Sequence, residues 1–302
     1  MKELHEDQEE HSLYSLFPSV AFAVLNAYYL SMNIVEIDSL DRPELGPYRT
    51  LRRPLKHERE GIFVAEGTRV VLRLLKSQLE ILSLLLTPEW LRQTQSALLQ
   101  RPESPTVFVA PKPVLDTIVG FNLHQGIMAV VRIPPPSTLE EVLARSPAPY
   151  LLAAVDGLTN AENLGALVRN CSAFGVQAIL VGETSSSPYL RRAVRNSMGS
   201  VFSLPVVHLE NLAGTIRSMK ERHGIRTIAA HPHAAQGLAD ATLTGSCCLV
   251  FGNEGDGVSK EILDAADEAV EIPMANGVDS INVASASAVF LFEAVRQREG
   301  AH

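Results

Sequence analysis

Residues 249–293 read LVFGNEGDGVSKEILDAADEAVEIPMANGVDSINVASASAVFLFE, and this stretch decides the fold. Two short apolar runs, ending at Phe251 and Ile272, each open into a loop of small and polar residues. The first loop is Gly252-Asn253-Glu254-Gly255 and the second Pro273-Met274-Ala275-Asn276-Gly277. A long apolar helix, Asn282 to Gln297, then closes the pattern. Apolar runs alternating with helices predict a mostly parallel sheet covered on both faces. In such sheets ligands bind at the carboxyl ends of the strands. The two loops, about twenty residues apart, are therefore expected to form two walls of one pocket.

The same alternation extends upstream. Strands are predicted at Leu151–Val155, Ala178–Val181, Val201–Val207, Arg226–Ala230 and Cys248–Phe251, and a last one at Ala269–Ile272. Helices are predicted at Leu164–Phe174, Tyr189–Met198, Leu209–His223 and Ser259–Ala265. These elements define a domain over residues 150–302. Ahead of it stands Pro134-Pro135-Pro136-Ser137, a run that cannot enter a helix and forms a stiff connector. Residues 134–149 are read as linker and lead-in. Residues 41–133 form a smaller α/β unit, with predicted strands at Gly61–Ala65, Glu80–Leu86, Thr106–Val109 and Ile127–Arg132. His124-Gln125-Gly126 leads into the last of these. Between Arg42 and Lys76, nine Arg and Lys stand against Glu44, Glu58, Glu60 and Glu66. Such a run is either a solvated helix face or a phosphate-contacting surface.

Residues 1–40 are read as an N-terminal appendage of uncertain order. Leu16–Val35 is uncharged and long enough for a bilayer. It carries Pro18, Asn26, Ser31 and Asn33, so it reads as a poor membrane span, and acidic residues precede it where a secretory signal is basic.

The chain of 302 residues is 46% hydrophobic and 20% charged, with net charge −8. That composition is of a globular protein and advertises no global affinity for nucleic acid, although binding needs only a local basic face. The three cysteines, Cys171, Cys247 and Cys248, form no C-x-x-C pair. They read as buried small hydrophobes in a reducing cytoplasm. A phosphate loop of the G-x-x-x-x-G-K type and a G-x-S-x-G elbow are absent. Gly252-Asn253-Glu254-Gly255-Asp256-Gly257 does not match G-x-G-x-x-G, which disfavours a dinucleotide-dependent dehydrogenase. His231-Pro232-His233 lacks a third ligand and reads as a loop after a strand rather than a metal site.

The loop after Leu151–Val155 carries polar residues into a helix, Asn163-Leu164-Gly165-Ala166-Leu167-Val168-Arg169. Asn163 is positioned to cap that helix or to face a ligand. Arg169 interrupts an apolar stripe, and such an arginine takes a carboxylate or phosphate partner. Arg191, Arg192 and Arg195 form a second basic cluster, readable as an RNA groove or as a solvated face.

Asn163-x-Gly165-x-x-x-Arg169, Phe251-Gly252-Asn253-Glu254-Gly255-x-Gly257 and Ile272-Pro273-Met274 leading to Ser280-Ile281-Asn282-Val283 resemble, in order, the three motifs of the SpoU/TrmH family. These are SPOUT-class RNA ribose 2′-O-methyltransferases. The resemblance covers about residues 150–298. Residues 61–132 are similar, with less specificity, to the family's small RNA substrate-binding domain.

The resemblance implies a C-terminal trefoil knot that forms the pocket for S-adenosylmethionine. Gly252, Ile272 and Ile281 would contact the cofactor, and Asn163, Arg169, Glu254, Ser280 and Asn282 would form the catalytic set. It implies a cytoplasmic homodimer with the active site near its interface, and RNA as substrate, ribosomal RNA rather than tRNA, with no metal. The alternatives are a tRNA 2′-O-methyltransferase and a non-catalytic RNA-binding protein that kept the fold. Arg169 is expected to hold the target phosphate and lower the hydroxyl's pKa, since guanidinium resists service as a base. Glu254 is expected to anchor Arg169 or a neighbouring loop. The chain departs from the family's usual glycine, leucine and serine at Asn276, Ile281 and Ala284.

Overall fold

The computed structural model describes residues 33–118 and 126–300. The N-terminal appendage up to Met32, and His124-Gln125, lie outside the described residues. Two sheets are present. The first holds β1 (Ile34–Glu36), β2 (Ile62–Glu66), β3 (Ile81–Leu86), β4 (Thr106–Val109) and β5 (Ile127–Arg132), in the order β1-β4-β3-β5-β2. Strands β1, β4 and β3 run parallel, and β5 is antiparallel to both β3 and β2. Strand β1 pairs with β4 from Ile34 to Glu36, so this sheet takes in a strand that precedes Asp41. At three residues, one of them exposed, that strand is too short for alternation to reveal it in sequence.

The second sheet holds β6 (Leu151–Val155), β7 (Ala178–Val181), β8 (Val206–His208), β9 (Arg226–Ala230), β10 (Gln236–Gly237), β11 (Cys247–Phe251) and β12 (Glu268–Glu271). Its order is β10-β12-β9-β11-β6-β7-β8, and every pairing is parallel. Parallel strands need crossovers, and these bring helices over both faces. Accordingly β6, β7 and β11 are buried at every position. The expected mixed α/β architecture with a parallel sheet is present. One element differs. Val201–Val207 is not a continuous strand: a 3-10 turn covers Ser200–Phe202, and β8 starts only at Val206. Left-handed backbone at Met198 and Gly199 turns the chain there, and Pro205 has no N–H to give a ladder.

Strand β11 is late in sequence but central in space, between β6 and β9. The chain reverses direction across the sheet here, and a crevice opens beyond the carboxyl ends of β9, β11 and β12. The Val283–Glu299 helix packs on the Ala161–Ala173 helix, and Asn170 Nδ2 joins them by donating to the Ala284 carbonyl at 2.7 Å and to Ser287 Oγ at 3.0 Å. At its far end Arg298 donates to the carbonyls of Leu243, Pro149, Tyr150 and Gly245. The helix is thereby tied at its start to the Ala161–Ala173 helix and at its end to the segments that lead into β6 and β11.

The two sheets share one continuous apolar core. Phe63 on β2 lies 5.4 Å from the Tyr189 ring and 6.0 Å from that of Phe202. Beside them Glu66 accepts from Arg191 and, at 3.4 Å, from Arg195. Side chains of Glu66 and Arg191 are only 8% and 9% exposed. Arg73 donates to the Met198 carbonyl at 2.9 Å and to Ser200 Oγ at 3.1 Å. Arg191, buried against Glu66, and Arg73, which is exposed but bonded to Met198 and Ser200, both tie the small unit to the large one. All three cysteines are buried and free. Burial pushes the Cys171 thiol up to about 12 and raises those of Cys247 and Cys248, so none supplies a thiolate near neutral pH.

Candidate functional site

A cavity of about 320 Å³ lies beyond the carboxyl ends of β9, β11 and β12, within the usual range for small-molecule sites. Phe251, Val270, Ile272 and Phe290 give it an apolar lining, and Glu254, Asp279, Ser280 and Asn282 give it polar groups. Gly252 and Ile281 also line it. Both loops quoted from the sequence thus meet on one pocket, as their spacing predicted.

The first wall is a tight loop after β11. Asn253 N–H donates to the Gly257 carbonyl at 2.9 Å and Gly257 N–H donates back at 3.0 Å. Asn253 Oδ1 accepts from the Gly255 N–H at 2.7 Å, while its Nδ2 donates to the Gly157 carbonyl at 2.8 Å. One asparagine therefore ties the β11 loop to the β6 loop. Gly252 sits where the loop crosses itself: a Cβ there would lie 2.1 Å from the Gly257 carbonyl carbon. The requirement for glycine comes from the loop's own closure.

The second wall runs from Ile272 to Asn282. Asn276 and Gly277 both adopt left-handed backbone, with φ of +59° and +71°. Asparagine tolerates this region better than other side-chain-bearing residues. The departure from glycine at Asn276 therefore preserves the turn. Ala284 also costs little. Its carbonyl and N–H are both engaged, by Asn170 and by Asn282 Oδ1, and neither bond needs a serine hydroxyl at that position.

The helix after β6 begins one turn before Asn163. Its cap is Asn160, whose Oδ1 accepts from the N–H groups of Glu162 and Asn163. Asn163 is thereby released for another task. Its Nδ2 donates to Glu254 Oε1 at 2.7 Å, and its Oδ1 accepts from Asn282 Nδ2 at 2.9 Å. Asn282 in turn caps the last helix through Oδ1, which accepts from the Ala284 N–H at 2.9 Å. Three residues from the three sequence motifs thus form one hydrogen-bonded chain, Glu254–Asn163–Asn282, at the edge of the cavity. Each amide uses its donor on one side and its acceptor on another, which fixes both amide orientations. Gly165, two residues on, lets the helix approach its neighbour: a Cβ would meet the Ala193 carbonyl oxygen at 2.4 Å.

Six of the eight residues singled out in the sequence line the cavity: Gly252, Glu254, Ile272, Ser280, Ile281 and Asn282. Asn163 joins through its hydrogen bonds. Arg169 is not brought in. It is exposed and makes no ion pair among the described residues. Glu254, expected to anchor Arg169 or a neighbouring loop, accepts from Asn163 at the start of the helix after β6. The helical period explains the separation, because six residues turn the side chain well away from the face that carries Asn163. Sequence reasoning missed His231, which lines the cavity beside Ile272. Its position after β9, at the carboxyl end of a central strand, was the available signal. No group of three His, Cys, Asp or Glu side chains disposed to hold a metal occurs among the described residues.

The two units match separate family models. Residues 150–292 match the SpoU rRNA Methylase family, and residues 64–137 match the RNA 2′-O ribose methyltransferase substrate binding model. Among curated relatives, the chain is 40% identical over 192 residues to the 23S rRNA (guanosine-2′-O-)-methyltransferase RlmB of Vibrio vulnificus, covering 62% of this chain and 76% of that one. It is 32% identical over 279 residues to an uncharacterized tRNA/rRNA methyltransferase of Mycobacterium bovis, covering 90% and 94%. The AdoMet-bound rRNA methyltransferase of Sinorhizobium meliloti aligns with a TM-score of 0.76 at 25% identity, over 87% of this chain and 98% of that one. The SpoU methyltransferase AviRb of Streptomyces viridochromogenes in complex with AdoMet aligns at 0.74 with 26% identity, over 86% and 100%.

Proposed function

The chain belongs to the SpoU rRNA methylase family, and from that premise we propose that its cavity binds S-adenosylmethionine for methylation of a ribose 2′-hydroxyl in ribosomal RNA. The observation that carries this reading is the Glu254–Asn163–Asn282 chain at the edge of the cavity. It joins the three motif segments at one place, where a nucleotide's ribose could reach the pocket.

The cavity fits the cofactor in kind: an apolar interior for adenosine and a polar edge for the amino-acid end. Gly252, Ile272 and Ile281 would hold it. When bound it supplies an electrophilic methyl group. The protein's task is then to place the 2′-hydroxyl in line and ease loss of its proton. In our reading Asn163 and Asn282 orient the nucleotide, Glu254 fixes Asn163, and Ser280 contributes a hydroxyl at the same edge. Arg169 holds the target phosphate and favours the alkoxide by its charge. Phosphate binding is within reach of an exposed, unpaired guanidinium and not of a buried, paired one.

We further propose a homodimer. Val278, Ile281, Val289 and Phe292 are four of the six large exposed apolar residues among the described ones, and all fall within residues 278–292. Arg169 lies on the helix against which this segment packs, so pairing through the segment would bring Arg169 toward a partner's cavity. The order β9-β11-β6, with the last helix folded back over the Ala161–Ala173 helix, supports reading residues 247–299 as the family's trefoil knot. Residues 41–133, with β1 ahead of them, serve as the RNA substrate-binding domain. Guanosine of 23S rRNA is the target we favour, because the relative at 40% identity carries that specificity in its name. Such work belongs in the cytoplasm, where ribosomes are; no helix among the described residues is long and apolar enough to cross a membrane.

The test is methyl transfer from labelled S-adenosylmethionine to purified rRNA and tRNA, with the product nucleoside identified. A 2′-O-methylated nucleoside in rRNA is expected. Label confined to tRNA would overturn the choice of substrate, and RNA binding without transfer would favour the non-catalytic reading. Arg169→Ala is expected to lose transfer while keeping cofactor affinity; full activity in that variant would remove the role given to Arg169.

A further inference from the structure

His231 follows β9 and stands on the cavity wall with Phe251 and Ile272. Its backbone N–H donates to the Val270 carbonyl at 3.0 Å, which fixes the residue across the seam between β9 and β12. Its ring Nδ1 accepts the backbone N–H of His233 at 3.2 Å. A neutral imidazole has one donor and one acceptor nitrogen. With Nδ1 accepting, the proton resides on Nε2. The ring is half-buried, and Nε2 has no hydrogen-bond partner among the described residues. A donor is thus left available on the wall of the cavity, on the side formed by Phe251 and Ile272.

We propose that His231 is a cofactor-contacting residue whose Nε2–H donates a hydrogen bond to an acceptor atom of bound S-adenosylmethionine. This inference rests on the assignment of the cavity to the cofactor. It separates two tasks of one ring. Nδ1 holds the turn to His233, a task that any acceptor at that position could perform. Nε2 contacts the ligand, and only a donor placed one atom further out can replace it.

Two substitutions divide these tasks. His231→Asn offers an acceptor near the Nδ1 position and no donor at the Nε2 position. His231→Gln offers an amide donor near the Nε2 position. Cofactor affinity of the full-length protein is measured calorimetrically with S-adenosylmethionine and with S-adenosylhomocysteine, alongside thermal melting. His231→Asn is expected to weaken both ligands about three- to tenfold, the scale of one lost hydrogen bond, with an unchanged melting temperature. His231→Gln is expected to stay within about twofold of the parent on the same scale. Wild-type affinity in His231→Asn, or equal losses in both variants, would overturn the inference. Ala286→Trp, which fills the cavity from the last helix, tests the assignment beneath it. If Ala286→Trp leaves affinity unchanged, the cavity is not the cofactor site and both readings fall. If it abolishes binding while His231→Asn binds normally, only the role of His231 falls.

Discussion

Asn276 shows how a single backbone angle governs a site. At φ +59° an alanine is strained by about 1–2 kcal/mol, whereas glycine is not. Asn276→Ala is expected to lower stability by about 1 kcal/mol and to weaken cofactor binding. Asn276→Gly should stay close to the parent, within about 0.5 kcal/mol, because its gain in backbone ease is offset by unfolded-chain entropy. Thermal melts and cofactor titration of the pair check both. Loss in the glycine variant equal to that in the alanine variant would mean the side chain, not the angle, matters. At this scale the sequence named the pocket residues well. Gly252, Glu254 and Asn282 carry recognisable chemistry at recognisable places. Partners were not legible: which amide faces which carboxylate depends on the angle between helices distant in sequence. Hence Glu254 was expected to anchor Arg169 or a neighbouring loop, with no means of choosing, and it lies against Asn163.

At the scale of the element, the final helix depends on a residue that also serves the site. Asn282 caps its start and holds Asn163, so substitution can separate the two roles. Serine caps a helix about as well as asparagine but has no amide to donate across to Asn163. Asn282→Ser is expected to retain stability and lose methyl transfer, while Asn282→Ala should lose transfer and about 1 kcal/mol of stability. The measurement is a melting curve beside a transfer assay. Equal activity in parent and serine variant would detach the hydrogen-bonded chain from catalysis. The helix's last turns carry a pH dependence. Arg296 and Gln297 bond Glu293 and hold its carboxyl at about 2, below its ordinary 4.5. A depressed carboxylate stabilises the fold above its unfolded value, and that stabilisation is lost as pH falls toward the folded one. The contribution should therefore fade between about pH 4.5 and pH 2. It is small, because Arg296 is largely exposed. Glu293→Gln should lower the melting temperature slightly at neutral pH and flatten the acid limb over that interval, so that the two profiles meet near pH 2. Helix positions were legible from apolar period alone. Short strands β1 and β10 were not, since two or three residues show no period.

For the whole molecule, the buried Glu66–Arg191 pair governs how the two units sit together. Removing one partner of such a pair leaves a charge without compensation and costs about 3–5 kcal/mol. Glu66→Ala is expected to lower the melting temperature sharply and to split one unfolding transition into two. A single, unshifted transition would show that the apolar contacts of Phe63 suffice. For the proposed homodimer, Phe292→Asp should yield a monomer by light scattering, with reduced transfer if a partner supplies Arg169. An unchanged oligomeric state would redirect the search for the dimer face. In the sequence, the proline run and the change in charge were the grounds for expecting two units. Their tight junction was not legible, because Arg73 and Arg191 look in sequence like any solvated cations until Glu66 and the Met198 carbonyl are seen opposite them.

The placement of β11 has a consequence for how the protein is made. As the chain leaves the ribosome, β6, β7 and β8 can assemble at once, each beside the strand before it. Strand β9 cannot, since both its partners, β11 and β12, are translated later. For that interval the nascent chain presents three unsatisfied strand edges, one on β6 and both of those on β9. A chain halted before Cys247 should therefore be insoluble or chaperone-bound, and one extended past Glu271 should not, because the gap closes only when the last-made strands slide into the middle of the sheet.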